Sequence, residues 1–410
     1  MEDKSSLIFI MIASYRDPQL ITTIRDCIDK SKHPERLRFG VCRQYAKMDR
    51  WDHKYEFADD PRFKWYDVLW NRSEGCCWSR AKAQELYDGE EYYLQLDSHM
   101  RFAYDWDTGC IEMLDGLREA GSKKPLLTSY VGGYDPLLNW GGNDWGMLNL
   151  DPTPCRMTFF KWTDQGIPLN RPQRMDNWMD LKAPEPAAWL SAHFIFTYGS
   201  WVDEVPYDAD LYFHGEEPTL AARSYTHGWD LFHPHINPCW HEYTRNYRVD
   251  NKHWDDHGGK NSGALAETWN DRNQRSWDRC NAVFGQTDIN CRQTPEEIGD
   301  LGKFGLGTER TFKDFERLCG LDFARRAVGV YHDHATIDAC GGKIYYDLDE
   351  FTGRPNGGYA HGAGNKDAVL LTHENGSTGS IHIIEKAEEE EESIKAFRPG
   401  RPDLENEGKS

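Results

Sequence analysis

The sequence has no long apolar run. Its longest, residues 7–13 (LIFIMIA), is far short of the roughly 20 residues that cross a bilayer. No membrane span or membrane partner is therefore expected. The opening Met1-Glu2-Asp3-Lys4 lacks a basic stretch ahead of a long apolar one, so no secretory signal is expected either. Cys-x-x-Cys is absent, and the 11 cysteines are an odd number. That pattern excludes a simple disulfide framework and a zinc ribbon. The simplest reading is free thiols in a reducing compartment, hence the cytoplasm, with the sequons at Asn71 and Asn375 as chance matches. Positive charge is scarce: 48 Lys+Arg stand against 68 Asp+Glu, a net −20. This argues against broad binding to a phosphate backbone but leaves room for a local basic groove. Part of the deficit is local, since residues 385–392 hold six Glu and one Lys. Hydrophobic content is only 39 %, yet 13 % aromatics is too much for a disordered chain. A length of 410 residues suggests two or three units, and no internal repeat is present.

The first 125 residues alternate between strand and helix patterns. Residues 7–13 read as a buried parallel strand, and Asp17-Pro18 as the start of a helix carrying Leu20, Ile21, Ile24 and Ile28. Further strands are predicted at 38–42, 63–69, 92–96 and 126–130, with helices at 78–87 and 111–117. The series predicts an α/β domain with a largely parallel sheet, whose ligands gather at the carboxyl ends of the strands. Residues 131–180 are rich in Gly, Asn, Asp, Pro and Trp and read as long binding loops. A strand at 192–198, a helix at 219–227 and a His-rich turn at 232–241 follow. The predicted organisation is a catalytic domain over 1–245, a helical or irregular extension over 246–325 and a small β-rich segment over 326–384. Within that segment, strands are expected at 343–348, 368–372 and 380–384. An acidic, disordered tail is expected over 385–410.

Three groups of residues suggest chemistry. Asp97-Ser98-His99 closes the apolar strand at 92–96. Side chains two apart on a strand share a face, so Asp97 and His99 could reach one cation. A carboxylate and an imidazole suit Mn²⁺, Fe²⁺ or Zn²⁺ better than Ca²⁺. The bland alternative is a strand-end Asp capping a turn beside an unrelated His. Upstream, Glu74-Gly75 leads into a helix carrying Arg80, whose first amides and guanidinium could receive an anion. The alternative is a helix start with Arg80 on a solvated face. In His214-Gly215-Glu216-Glu217, a carboxylate could position a sugar or act as a base, or simply favour a helix start. His233, His235 and His241 are candidates for a third metal ligand. Tyr331-His332-Asp333-His334 could be a second metal site or a polar strand edge.

The segments 7–17 (LIFIMIASYRD), 75–102 (GCCWSRAKAQELYDGEEYYLQLDSHMRF), 213–245 (FHGEEPTLAARSYTHGWDLFHPHINPCWHEYTR) and 305–323 (GLGTERTFKDFERLCGLDF) resemble the cytoplasmic hydroxyproline N-acetylglucosaminyltransferase family. A more distant resemblance is to the polypeptide N-acetylgalactosaminyltransferases, through Glu74-Gly75, Arg80, Asp97–His99, Gly215-Glu216-Glu217 and His241. The resemblance covers roughly residues 5–325. It implies a GT-A type, nucleotide-diphospho-sugar transferase fold. It also implies a divalent metal, Mn²⁺ or Mg²⁺, held by Asp97, His99 and His241. Ser14, Tyr15 and Arg16 would lie near the uracil and ribose, Arg80 would approach the diphosphate or help order the loop beside it, and Asp97 and Ser98 would also contact the nucleotide sugar. Glu216 or Glu217 would contact the donor sugar or the acceptor hydroxyl. Residues 326–410 match nothing in that pattern.

The function expected from this is transfer of a sugar from a UDP-sugar, with N-acetylglucosamine as the implied donor group. The acceptor is a hydroxyl, and the resemblance implies hydroxyproline of a protein and retention of configuration. A glycan or a hydroxymethylated base in nucleic acid are alternative acceptors. Tyr134, Trp140, Trp145, Trp162 and Trp178 could stack on sugars or bases, or be core residues. Two other classes are compatible with the sequence. One is an inactive protein that binds carbohydrate or nucleotide sugar. The other is a metal hydrolase or oxygenase, the latter betrayed by dependence on ferrous iron and a keto acid.

Overall fold

The computed structural model describes residues 4–51, 55–136, 150–248, 252–287 and 291–328, and the strand backbones at 367–372 and 380–385. The expected strand at 343–348, the 331–334 cluster, Trp140, Trp145 and the tail from 386 lie outside the described residues.

The first strand, β1 (Ile8–Tyr15), is buried along most of its length, as its apolar run predicts. It pairs in parallel with β2 (Leu37–Tyr45), which pairs in parallel with β3 (Phe63–Leu69). On its other side it pairs in parallel with β4 (Tyr92–Asp97). After β4 the chain turns into the short β5 (Met100–Phe102). The helices α1 (Leu20–Lys30), α2 (Cys76–Gln84) and α3 (Trp106–Glu119) connect these strands. Helix α1 begins after Gln19. Asp17 does not cap it directly; its Oδ1 accepts the Gln19 N–H at 2.8 Å, and its other oxygen is used in the site described below.

The sheet departs from the expected largely parallel arrangement beyond β4. Strand β6 (Pro125–Thr128) ends at the carboxyl edge, and the chain runs through β7 (Gly132–Gly133) and a long excursion there. It re-enters the sheet as β11 (Phe194–Tyr198), antiparallel to both β4 and β6. A strand that enters from the carboxyl edge without a crossover helix must run the other way. The excursion is not all loop. Residues β8 (Cys155–Trp162) and β9 (Pro168–Arg174) form an antiparallel hairpin. A register shift at Phe159/Lys161 breaks the period-two pattern that would have marked it in the sequence. The edge strand β10 (Glu185–Pro186) pairs with β12 (Asp230–His233), completing the order β10-β12-β6-β11-β4-β1-β2-β3. A second sheet of three strands places β13 (Cys239–His241) between β5 and β7.

Two apolar layers flank the large sheet. One packs α1 and α3 with Ile8, Ile10, Ile12, Leu94 and Phe196. The other includes Trp189, Trp201 and Trp229. It continues into the segment after 245 through Cys280, Phe315 and Phe323. These residues belong to or follow α5 (Trp269–Val283) and α6 (Phe312–Cys319), which pack on α4 (Glu216–Thr226). Tyr134 and Trp162, two of the expected stacking aromatics, are buried core residues at 6 % and 1 % exposure, while Trp178 is half-buried. The strands Asp367–Thr372 and Ser380–Glu385 pair as an antiparallel hairpin. No described helix is long and apolar enough to cross a membrane.

Candidate metal and sugar-transfer site

The site forms where β4, β5, β11 and β13 meet at the carboxyl edge of the sheet. Asp97 is the last residue of β4, and the chain bends through Ser98 and His99 into β5. Thr23 on α1 fixes that bend: its hydroxyl donates to the Ser98 carbonyl and accepts the Met100 N–H, both at 2.9 Å. Antiparallel pairing sets His241 of β13 opposite Met100, so a third side chain arrives beside His99.

Asp97, His99 and His241 present one ligand atom each within 4.8 Å of one another. His241 Nε2 lies 3.1 Å from Asp97 Oδ2 and 3.1 Å from His99 Nε2, and His99 Nε2 lies 3.5 Å from Asp97 Oδ2. An octahedral cation with bonds of about 2.1 Å places neighbouring donors about 3 Å apart, so the spacing fits three adjacent positions around one ion. The donor set of two imidazoles and one carboxylate fits Mn²⁺ and also suits ferrous iron. Burial, with neighbouring His193 next, pushes the His241 ring far below its ordinary value, so it is neutral and can offer a lone pair. Burial by itself would raise the Asp97 carboxyl. Arg80 and the two histidines outweigh it, and Asp97 stays ionised.

Each ligand but one has an outer partner that orients it. His99 Nδ1 lies 2.7 Å from Asp17 Oδ2, so a ring proton there would leave the Nε2 lone pair facing Asp97 and His241. Burial would raise Asp17 as well. Arg248 and His99 hold it below the usual carboxylate range, and Tyr247 donates a further hydrogen bond at 3.0 Å. Arg80 donates to Asp97 Oδ1 at 2.5 Å, leaving Oδ2 for the histidine side. His241 Nδ1 has no hydrogen-bond partner among the described residues. A protein cation also reaches the cluster. Arg245, at φ 57°, points Nη1 at His99 Nε2 and donates to the Glu242 carbonyl at 2.9 Å. The buried Glu242 carboxylate accepts the Thr244 and Arg245 N–H groups and locks this left-handed turn.

Arg80 is 2 % exposed. Its guanidinium serves Asp97 and the Ala192 carbonyl and lies 3.1 Å from Glu216 Oε1. The α2 amide at Cys77 is taken by the Tyr212 carbonyl. Glu216 and Glu217 open α4. Gly215 before them has φ 101°, and a Cβ there would stand 2.3 Å from Cys280 Sγ, so glycine is required. Burial raises the Glu216 carboxyl against the opposing pull of Arg80, and Oε1 has no hydrogen-bond partner among the described residues. Glu217 is pushed up to about 7, chiefly by burial. It accepts hydrogen bonds from the Tyr130 hydroxyl and, at 2.9 Å, the Ala192 N–H.

The end of β1 lies across the site. Ser14 is buried, Tyr15 donates to Asp256 at 2.7 Å, and Arg16 is paired with Asp49 and Asp256. Ser98 donates its hydroxyl to Asp17 at 2.7 Å. Of the other candidate histidines, His233 is a buried structural residue bonded to Thr128 and Met157, and His235 is outside the ligand cluster. Sequence reasoning missed Asp17 as an orienting group, and also Arg245, Tyr130, Tyr243 and His193. His193 precedes β11, is 7 % exposed, and is held neutral down to about pH 3, mainly by burial.

A family model described as "Glycosyltransferase (GlcNAc)" matches residues 7–59 and 55–325. No curated protein is similar enough in sequence to count as a relative. Among solved structures, GalNAc-T7 with UDP, GalNAc and Mn²⁺ is similar with a TM-score of 0.51 at 12 % identity, covering 76 % of this chain and 56 % of that one. This chain thus spans little more than half of GalNAc-T7, and the likeness is one of fold. Weaker similarities are to S. aureus TarS 1–349 with UDP-GlcNAc (TM-score 0.38, 11 % identity, 73 % of this chain and 80 % of that one) and to the mannosyltransferase PcManGT of Pyrobaculum calidifontis (0.37, 12 %, 72 % and 68 %). The mixed sheet with its reversed strand before the Glu-bearing helix is a GT-A-type fold, and with the family match spanning residues 7–325 the chain belongs to the Glycosyltransferase (GlcNAc) family.

Proposed function

We propose that this protein transfers N-acetylglucosamine from UDP-GlcNAc to a hydroxyl group, with hydroxyproline of a protein as acceptor and retention of configuration. The observation that carries the reading is the convergence of Asp97, His99 and His241 beside Glu216. The family match supports the sugar, and the resemblance of the 75–102 and 213–245 segments supports the acceptor. The donor set would also suit an iron oxygenase; the family and fold favour sugar transfer.

A divalent cation, Mn²⁺ in the first instance, would be held by Asp97, His99 and His241 and would offset charge on the departing diphosphate. Asp17 and Arg80 keep the ligand atoms facing inward. Glu216, whose Oε1 makes an ion pair with Arg80 but no hydrogen bond among the described residues, is the carboxylate we assign to the reacting sugar or acceptor hydroxyl. Glu217, already tied to Tyr130 and Ala192, is assigned to hold the wall behind it. Ser14, Tyr15 and Arg16 are assigned to the nucleoside end.

The test is incubation with Mn²⁺ and UDP-GlcNAc in the presence of a hydroxyprolyl peptide and its prolyl counterpart. UDP release, labelling of the hydroxyprolyl peptide only, and an α-linked product by NMR are expected. Asp97→Asn and His99→Ala should abolish transfer with the circular dichroism unchanged. Full activity of the double variant would overturn the site. Transfer only to a glycan or a hydroxymethylated base would overturn the acceptor. Failure to release UDP from any UDP-sugar would point to a binding protein.

A further inference from the structure

We propose that His193 is a positioning residue that sets the ring plane of His241 by stacking, in place of the missing outer hydrogen bond. The inference rests on the metal reading of Asp97, His99 and His241.

A ligating histidine is usually aimed by a hydrogen bond at its other nitrogen. His99 follows that rule through Asp17. His241 does not, because its Nδ1 has no partner among the described residues. Besides its fellow ligand His99, at 4.7 Å and 59°, two further rings confine it. His193 lies nearly parallel to it, with centroids 4.4 Å apart and an interplanar angle of 26°. Tyr243 meets it edge-on at 4.4 Å and 62°. Rotation of the His241 ring would drive it into one or the other.

His193 is in turn firmly placed. Its Nδ1 lies 3.1 Å from Ser191 Oγ, and its Nε2 lies 3.2 Å from the Tyr243 hydroxyl and 3.4 Å from the Val131 amide. The Tyr130 ring stacks behind it at 5.4 Å and 19°. Both ring nitrogens face protein groups, and neither belongs to the ligand cluster, so His193 is not a fourth ligand. The layered order Tyr130, His193, His241 transmits the position of β11 to the metal ligand on β13. The register explains its reach: Phe194 pairs with Leu96, which puts His193 level with Asp97.

Two substitutions separate the ring from its hydrogen bonds. His193→Phe keeps a flat ring of similar size and discards the polar atoms. His193→Asn keeps polar atoms and discards the ring. Titration calorimetry of the full chain with Mn²⁺ alone is the readout, followed by Co²⁺ absorption as a report on ligand geometry. The Asn variant should bind Mn²⁺ about tenfold more weakly, as loss of an outer-shell partner generally does, and should shift the Co²⁺ bands. The Phe variant should bind near the wild-type level with unshifted bands. Equal weakening of both variants, or wild-type binding by the Asn variant, would overturn the proposal. If the Asn variant does not fold by circular dichroism, the folded Phe variant decides: retained affinity supports stacking, and lost affinity overturns it. Failure of the wild-type protein to bind Mn²⁺ would instead overturn the metal reading itself.

Discussion

Glu217 should make this fold less stable as pH rises, and Glu217→Gln should remove the effect. The carboxyl is turned inward between Tyr130 and the Ala192 amide, and its affinity for a proton is raised from 4.5 to about 7. Burial is the main cause, and the charge of Glu216 adds to it; the Tyr130 and Ala192 hydrogen bonds pull the other way and lose. In the unfolded chain the group ionises near 4.5. The folded state is therefore favoured fully below that pH, and the advantage is lost as pH rises through about 7. At 1.36 kcal/mol per decade of proton affinity, the gap amounts to about 3 kcal/mol at pH 8. Glutamine is neutral at every pH. Its carbonyl can accept the Ala192 N–H, and its amide can donate to the Tyr130 oxygen. The difference in unfolding free energy between Glu217→Gln and wild type should be near zero at pH 4.5 and approach about 3 kcal/mol in favour of glutamine at pH 8. Urea titrations across this range, with EDTA present so that no cation lowers the carboxyl, provide the measurement. Other titrating groups act on both proteins and cancel. A pH-independent difference, or a less stable glutamine variant at pH 8, would show that the carboxylate is held ionised and would refute the reasoning.

Asp17→Asn should weaken Mn²⁺ binding by about 10- to 100-fold in calorimetry, because His99 loses its charged outer partner. The same change leaves Arg248 and Tyr247 without their carboxylate and should lower the thermal midpoint. Arg245→Ala should tighten Mn²⁺ binding severalfold, since a guanidinium no longer competes for His99 Nε2 and a like charge is removed; unchanged or weaker binding would show that the arginine does not occupy the cation's place. Gly215→Ala should cost about 1–3 kcal/mol in urea titrations, because φ 101° and the close Cys280 sulfur both oppose a Cβ.

What could be read from the residues follows from how each contact is made. Asp97 and His99 are visible in the sequence because a doubly buried strand writes itself as an apolar run, and a carboxylate at its end stands out. In the residue pattern His241 is only one of several histidines in a turn, and it is the family resemblance that singles it out. Its selection over His233 and His235 depends on the register of strands only three residues long, which no side-chain pattern encodes. The reversed direction of β11 is hidden for the same reason, since period-two alternation carries no sense of direction. Asp17 is half legible: its turn role at Gln19 is local, while its bond to His99 spans 82 positions. His193 leaves no mark, because stacking against a neighbour on another strand needs no particular spacing.

The chain's acidity also takes on a different meaning at the site. Asp17 and Asp97 are both ionised on opposite sides of the His99 ring, yet each spends part of its charge on a fixed partner. Arg80 takes Asp97 Oδ1, and Asp17 engages His99 Nδ1, so that Asp97 Oδ2 and the His99 and His241 Nε2 atoms are left facing one point. Asp97 is the one carboxylate among the three ligands, so they bring a single negative charge to the point. That suits a divalent ion, which keeps a net positive charge to offer a diphosphate. Arg245 brings a single positive charge to His99 Nε2, on the side where a divalent cation would sit. The overall charge of −20 therefore says little about the ligand bound here. What matters is which atoms of two carboxylates have been used up by their neighbours, and that follows from the packing of β4, β5 and β13 against α1 and α2.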